Sequence, residues 1–282
     1  MKEIINNKPF AKKKLGQNFL ADQNYIRKII DAVNPQPDEI IIEIGAGRGA
    51  LTEFLIEKAG KLLAIELDTD LIQVLNKSFG KNQNFLLVHQ DALNVNFKNL
   101  IEQNKSPEFT KKPKLAANLP YYISTAILQH LIEYRESFSK MVIMLQKEVV
   151  ERITAEPGKK ERGFLTVLME AAFESHKLFD VPPNAFRPAP KIWSSVILLK
   201  PKPVDKILSE NAALFRDLIG CGFAQKRKTI YNNLKNATKI LYKKDLSEML
   251  LENEINPKRR AETITIDEWR GLTESIARET SD

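Results

Sequence analysis

Residues 40–44, Ile-Ile-Ile-Glu-Ile, run directly into Gly45-Ala46-Gly47-Arg48-Gly49. A continuous, mostly β-branched run marks a strand buried on both faces, because neither face is left for polar residues. Glycines at its end permit a sharp turn, and Leu51, Leu55 and Ile56 then recur at helical spacing. Strand, turn and helix in that order open a parallel α/β sheet. The pattern repeats, with strands expected over 62–67, 85–89, 114–118 and 141–145, and helices over 71–75, 124–134 and from Lys147 onward. Ser124 is the expected N-cap of its helix. These alternations predict a doubly wound, Rossmann-like sheet covered by helices on both faces.

The pattern then changes. Val181-Pro-Pro-Asn-Ala-Phe186-Arg-Pro188-Ala-Pro190-Lys191 is too proline-rich for a central strand and reads as an ordered loop. A last strand is expected over 195–199, after which Pro201 and Pro203 mark a boundary. Beyond Val204 the chain reads as helices only. The expected organisation is therefore an α/β domain over residues 1–202 and a small all-helical domain over 203–282. Hydrophobic residues make up 43% of the chain, enough for a sizeable core, and no apolar run approaches membrane-spanning length. With no secretory signal at the N-terminus and one cysteine, Cys221, the expectation is a soluble, cytoplasmic protein without internal disulfides. Nothing in the pattern demands more than a monomer.

Charge is concentrated rather than spread. The first 30 residues carry seven basic side chains against Glu3 and Asp22, and residues 216–244 carry eight against Asp217 alone. Two such regions suit a polyanion partner, although a solvated lysine-rich surface has the same composition. If residues 226–235 form one helix, Ile230 and Leu234 share its apolar face, while Lys228 and Lys235 point outward beside Tyr231. Lys226, Arg227, Lys228 and Lys235 are the candidate phosphate contacts.

Two short segments carry the chemistry. The glycine turn, with Glu43, Gly45 and Gly47, lets a nucleotide-like molecule approach backbone at the carboxyl ends of the strands. Glu66 ends the second strand 21 residues after Gly45, a distance that suits hydrogen bonds to ribose hydroxyls, with Leu67 beside it. A dinucleotide fits that spacing as well as S-adenosylmethionine does. Asp91 and Ala92 follow the third strand; Asp91 suits an adenine amino group or the N-cap of the turn at Leu93. Gln17, Asn18, Phe19 and Leu20 precede the first helix and can fold over the cofactor.

Asn118-Leu119-Pro120-Tyr121 offers an amide, a carbonyl, a rigid link and an aromatic plate in four residues. That set suits a flipped purine held through its exocyclic amine, with Phe186 as a second plate. An ordinary strand-to-loop turn, and for Phe186 a packing anchor, are the plain alternatives. Together the two segments point to methyl transfer from S-adenosylmethionine to an adenine. Trp193 and Trp269 read as packing residues, and His89, His130 and His176 show no metal-ligand spacing.

In this order the motifs closely resemble the ribosomal RNA adenine dimethyltransferase family of the KsgA type. The matching segments are Leu15 to Leu20, Glu43 to Thr52, Ile65 to Asp68, Gln90 to Ala92, Asn118 to Tyr121 and Leu145 to Val150. Val181-Pro-Pro, Phe186-x-Pro-x-Pro-Lys191, Gln225 to Thr229 and Arg260-Ala-Glu262 extend the match over nearly the whole chain. The resemblance implies a class I methyltransferase fold, S-adenosylmethionine as donor and no metal. It also implies dimethylation of two adjacent adenosines near the 3′ end of 16S rRNA in the immature 30S subunit. It assigns Asn18, Leu20, Gly45, Glu66, Asp91 and Asn118 to the cofactor, and Asn118, Leu119, Tyr121 and Phe186 to the adenine. Ala46, Tyr122 and Trp193 depart from the usual residues of that pattern. An Erm-like enzyme acting on 23S rRNA and a non-catalytic ribosome-assembly factor are the competing readings.

Overall fold

The computed structural model describes residues 17–235, 237 and 245–281. Leu15 and Gly16 of the first motif, Lys2, Lys8, Lys12, Lys13 and Lys14, and Lys239, Lys243 and Lys244 lie outside the described residues. The described residues form two compact units, one of residues 17–150 with 174–201, the other of residues 151–173 with those described from 202 onward.

The first unit is built on a seven-stranded sheet. In chain order its elements are β1 (Phe19–Leu20), α1 (Gln23–Val33), β2 (Ile40–Ile44), α2 (Thr52–Lys58), β3 (Lys61–Glu66), α3 (Thr69–Phe79) and β4 (Phe85–His89). Then come α4 (Phe97–Glu102), β5 (Lys114–Asn118), α5 (Ser124–Glu133), β6 (Lys140–Gln146) and α6 (Lys147–Ile153). After α7 (Phe164–Ala172) follow β7 (Phe173–Val181), β8 (Phe186–Arg187) and β9 (Ser194–Pro201). The strand order is β4-β3-β2-β5-β6-β9-β7. β4, β3, β2, β5 and β6 pair in parallel, and β9 runs antiparallel to β6. Every residue of β2 is buried, so both of its faces are covered, as its composition requires.

From β2 the chain steps to β3 on one side and later to β5 on the other. The order therefore reverses between β2 and β5, and a crevice opens beyond their carboxyl ends. At the opposite end of the sheet, two lysines fasten α1. Lys114 Nζ donates to Asn34 O at 2.7 Å and pairs with Glu39 at 2.6 Å, while Lys140 Nζ donates to Ala32 O at 2.7 Å. Cations suit these carbonyls, which have no partner within the helix. At its other end, α1 is capped by Asp22, which accepts from Asn24 N. β1 pairs antiparallel with β8, Leu20 opposite Phe186, which fixes residues 17–20 beside the crevice.

Three expectations need correction. Ser124 is the first residue of α5, not its cap; its hydroxyl donates to Tyr121 O at 3.2 Å. β7 was not anticipated. It is the last strand of the sheet and mostly open to solvent, so its sequence FESHKLFDV lacks a buried-strand signature. Residues 151–173, expected in the α/β domain, group with the helical unit, because α7 carries buried Leu165, Val167, Leu168 and Met169.

The second unit adds α8 (Lys206–Glu210), α9 (Ala212–Gly222), α10 (Ile230–Leu234), α11 (Leu246–Glu252) and α12 (Ile266–Ser281). Trp269 is wholly buried and packs against Phe223, their ring centroids 6.1 Å apart. A β-carbon at Gly222 would come within 2.4 Å of the Trp269 ring, so only glycine lets α9 and α12 approach this closely.

Candidate active site

Three glycines open the crevice. Gly45, Gly47 and Gly49 have φ of 74°, 61° and 84°, a left-handed backbone that side chains disfavour. At Gly47 a β-carbon would also lie 3.3 Å from the Phe19 ring, and at Gly45 3.3 Å from Asn118 O. The turn thus sits directly against the two segments that the sequence marks for cofactor and base. Arg48 lies 4.1 Å from the centroid of the Phe19 ring, a cation–π contact that ties the turn to the segment before α1.

Glu66, nearly buried, points its carboxylate across this turn. Oε2 accepts from Gly47 N at 2.9 Å, and Oε1 accepts from Leu67 N at 2.8 Å and Asp68 N at 3.0 Å. Asp68 caps α3 through Asp70 N and accepts from Gln17 Nε2 at 2.7 Å. Asp91 Oδ1 caps the next turn by accepting from Leu93 N at 3.0 Å. The capping reading of Asp91 is therefore realised, and its side chain lines the crevice as well. Glu43 lies beneath the glycines, 1% exposed, with Oε2 accepting from Thr52 Oγ1 at 2.7 Å. Burial, reinforced by the Glu66 charge and opposed by Thr52, pushes its carboxyl up to about 7.

The base-holding segment closes the other side. Asn118 Nδ2 donates to Asn18 O at 3.5 Å, which leaves Oδ1 as the acceptor. Leu119 N donates to Met144 O at 3.2 Å, fixing the backbone of the turn. The Tyr121 phenol shares a 2.6 Å hydrogen bond with Ser194 Oγ. Burial raises its pKa against that bond, so the ring stays neutral.

Gln17, Asn18, Leu20, Glu43, Gly45, Gly47, Glu66, Leu67, Asp91, Ala92, Asn118, Leu119, Pro120, Tyr121 and Phe186 all line one cleft of about 1110 Å³, open mouth included. Phe186 does so from within the wall. Its side chain is 1% exposed and packs in the core with Leu20, Val181 and Ala185, the arrangement of an anchor for its loop. Sequence reasoning gives no role to Arg48 or Ser194 and names Tyr122 only as a departure from the family pattern; Tyr122 is 59% exposed and lines the cleft. No motif linked Ser194 to Tyr121, because their contact arises from a pairing 73 residues apart.

The candidate RNA contacts belong to the second unit. Lys226, Arg227 and Lys228 are exposed but not helical, since α10 starts at Ile230 with Thr229 as its N-cap. Buried Asn233 holds their loop by donating to Gly222 O at 2.6 Å and Gln225 O at 3.2 Å. Lys226 Nζ donates to Lys160 O at 2.7 Å. Lys235 is exposed, with its ammonium 5.7 Å from the Tyr231 ring centroid. Ile230 and Leu234 are buried, as their spacing predicts. Trp269 packs as expected, whereas Trp193 is 49% exposed. Among the described residues, no three His, Cys, Asp or Glu are arranged to hold a metal ion, and no helix is long and apolar enough to cross a membrane.

Residues 9–278 match the family model described as ribosomal RNA adenine dimethylase. The chain belongs to the ribosomal RNA adenine dimethylase family. It is a methyltransferase, and ribosomal RNA is its substrate class. It is 40% identical to ribosomal RNA small subunit methyltransferase A of Geobacter metallireducens over 94% of this chain and 95% of that protein. A protein of that name from Clostridium botulinum (strain Okra) is 40% identical over 98% of both chains. Among solved structures, a dimethyladenosine transferase from Plasmodium falciparum superposes with a TM-score of 0.77 at 24% identity, covering 93% of this chain and 98% of that one. The 23S rRNA methyltransferase ErmE superposes with a TM-score of 0.66 at 20% identity, over 92% and 100% of the two chains. Both share the α/β architecture seen here.

Proposed function

We propose that the enzyme transfers methyl groups from S-adenosylmethionine to N6 of two adjacent adenosines in the 3′-terminal hairpin loop of 16S rRNA, within the immature 30S subunit. The reading is carried by one observation: a single cleft holds both the glycine turn with Glu66 and the Asn118–Tyr121 segment. The donor fits the residues present. Gly45 and Gly47 keep the cleft floor free of side chains, and Glu66 is preset by three backbone N–H groups to accept from ribose. Asn18, Leu20, Asp91 and Ala92 complete the donor side. When bound, S-adenosylmethionine supplies an electrophilic methyl on a cationic sulfur.

An adenine amine is a weak nucleophile because its lone pair is shared with the ring, so the protein's task is positioning. Asn118 Oδ1 and the Leu119 carbonyl accept hydrogen bonds from the two amine N–H groups, which holds the nitrogen in place and favours its pyramidal form; the proton that each methyl replaces leaves to solvent after transfer. Pro120 keeps the segment rigid and adds no competing N–H. Tyr121, pinned through Ser194, stacks on the flipped base, and Phe186 backs the pocket wall. Lys226, Arg227, Lys228 and Lys235 neutralise phosphates of the flanking RNA. The enzyme acts as a cytoplasmic monomer.

The direct test is mass spectrometry of rRNA after incubating unmodified 30S and 50S subunits with the protein and donor. Dimethyladenosine in 16S rRNA is expected; modification confined to 23S rRNA, or none, overturns the proposal. Tyr121→Ala should lower kcat/KM about 10-fold or more, since base–aromatic stacking is worth ~1–3 kcal/mol. Donor affinity should stay unchanged in that variant, and wild-type kcat/KM would refute the stacking role. Replacing Lys226, Arg227 and Lys228 with alanine should reduce the slope of log binding constant against log salt by up to about 3. An unaltered slope in a filter-binding titration counts against phosphate contact there.

A further inference from the structure

The Tyr121–Ser194 hydrogen bond has an exposed aromatic residue one position away on each side: Tyr122, in the turn after β5, at 59%, and Trp193, just before β9, at 49%. An indole half in water is an open π-surface, and this one is held rather than loose. Its backbone carbonyl accepts from Lys147 N at 3.0 Å, where Gln146 of β6 faces Ser194 of β9. That pairing lies at the carboxyl end of β6, the rim on which the cleft opens.

A cation is fixed at the same ring. Lys147 Nζ lies 5.8 Å from the Trp193 ring centroid and 3.1 Å from Asp180 Oδ2. Asp180 is itself locked, accepting from Ser195 Oγ at 2.5 Å and pairing with Lys177 at 2.7 Å. Burial would raise this carboxyl, but the hydrogen bonds from Lys177, Ser195 and Lys147 outweigh it and bring it down to about 2. The anchor therefore stays ionised and keeps the ammonium at the ring. Lys191, two residues before the indole, is exposed and adds a second cation to the same short segment.

We propose that Trp193 and Lys147 form a subsite for the single-stranded purine nucleotide next to the target adenosine, its base stacked on the indole and its phosphate facing the cations. The proposal rests on the adenine-methylation reading above and deepens it. A flipped adenine on Tyr121 carries its covalent neighbour to the rim, and Trp193 stands one residue from the hydroxyl that pins Tyr121. With two adjacent target adenosines, the subsite holds one while the other is modified.

The test uses the full-length enzyme and a hairpin RNA with two adjacent adenosines in its loop. Trp193→Ala should raise KM for the RNA about 10-fold, the worth of one stacked base, with KM for the donor unchanged. Trp193→Phe should restore most of the loss. An abasic nucleotide beside the target should erase the difference between wild type and Trp193→Ala. Because Trp269 is buried, RNA-induced quenching of intrinsic fluorescence should report Trp193 and vanish in Trp193→Phe. An unchanged KM in Trp193→Ala, or no quenching at saturating RNA, overturns the subsite while leaving adenine methylation by the wild type standing. Quenching by intact but not abasic RNA, without any methyl transfer, would instead overturn the methylation reading and keep the stacking surface.

Discussion

Replacing Glu66 with alanine weakens S-adenosylmethionine binding on the order of 100-fold. A carboxylate has about four acceptor positions, and in Glu66 three are taken by Gly47 N, Leu67 N and Asp68 N. The remaining one, on Oε2 beside Gly47, is left for a ribose hydroxyl. A hydrogen bond to a charged group is worth ~1.5–3 kcal/mol, which by itself spans about 10- to 150-fold in affinity. Truncation also leaves three backbone N–H groups without their acceptor, which loosens the glycine turn and the start of α3. Both effects act on the donor side, so RNA affinity should be little changed. Glu66→Gln keeps one oxygen and should lose only about 10-fold. Isothermal titration of the donor into the three proteins checks this; equal dissociation constants would remove Glu66 from the donor site.

The parts of this site legible in the sequence are those in which local chemistry and long-range position coincide. Ile40–Ile44 has to be a strand covered on both faces, and a glycine turn after it has to open at a sheet edge; both follow from residue type. Glu66 and Asn118 end strands, so parallel packing brings them to one rim. What stayed hidden depends on partners far away in the chain. Trp193 looks like core material by composition, but β9 pairs with β6 in a register that leaves the indole at the rim. Phe186 looks like a free plate, but its pairing with Leu20 turns it into the core. The helix expected from Lys226 starts only at Ile230, because the Thr229 side chain accepts from Asn232 N and Asn233 holds the preceding turn. A strand such as β7, with a mostly solvated surface, leaves no hydrophobic pattern to detect.

Glu43 makes the fold's stability depend on pH in a direction opposite to that of ion-paired carboxylates. Its carboxyl is buried under the glycine turn and pushed from an ordinary 4.5 up to about 7. A raised carboxyl binds its proton more tightly when folded. Its contribution is therefore complete below about 4.5 and is lost as pH rises through about 7. At about 1.4 kcal/mol per tenfold change in proton affinity, the loss is on the order of 3 kcal/mol. Glu43→Gln keeps an acceptor for Thr52 Oγ1 without a charge, so its stability should lack this component. Denaturant unfolding at pH 5 and pH 8 should show the difference between wild type and variant falling by that amount, and parallel profiles would refute it. Glu66 supplies part of the repulsion, so Glu66→Ala should move the midpoint down from about 7. Burial, the larger cause, should still keep it above 4.5, which separates desolvation from the neighbouring charge in one comparison.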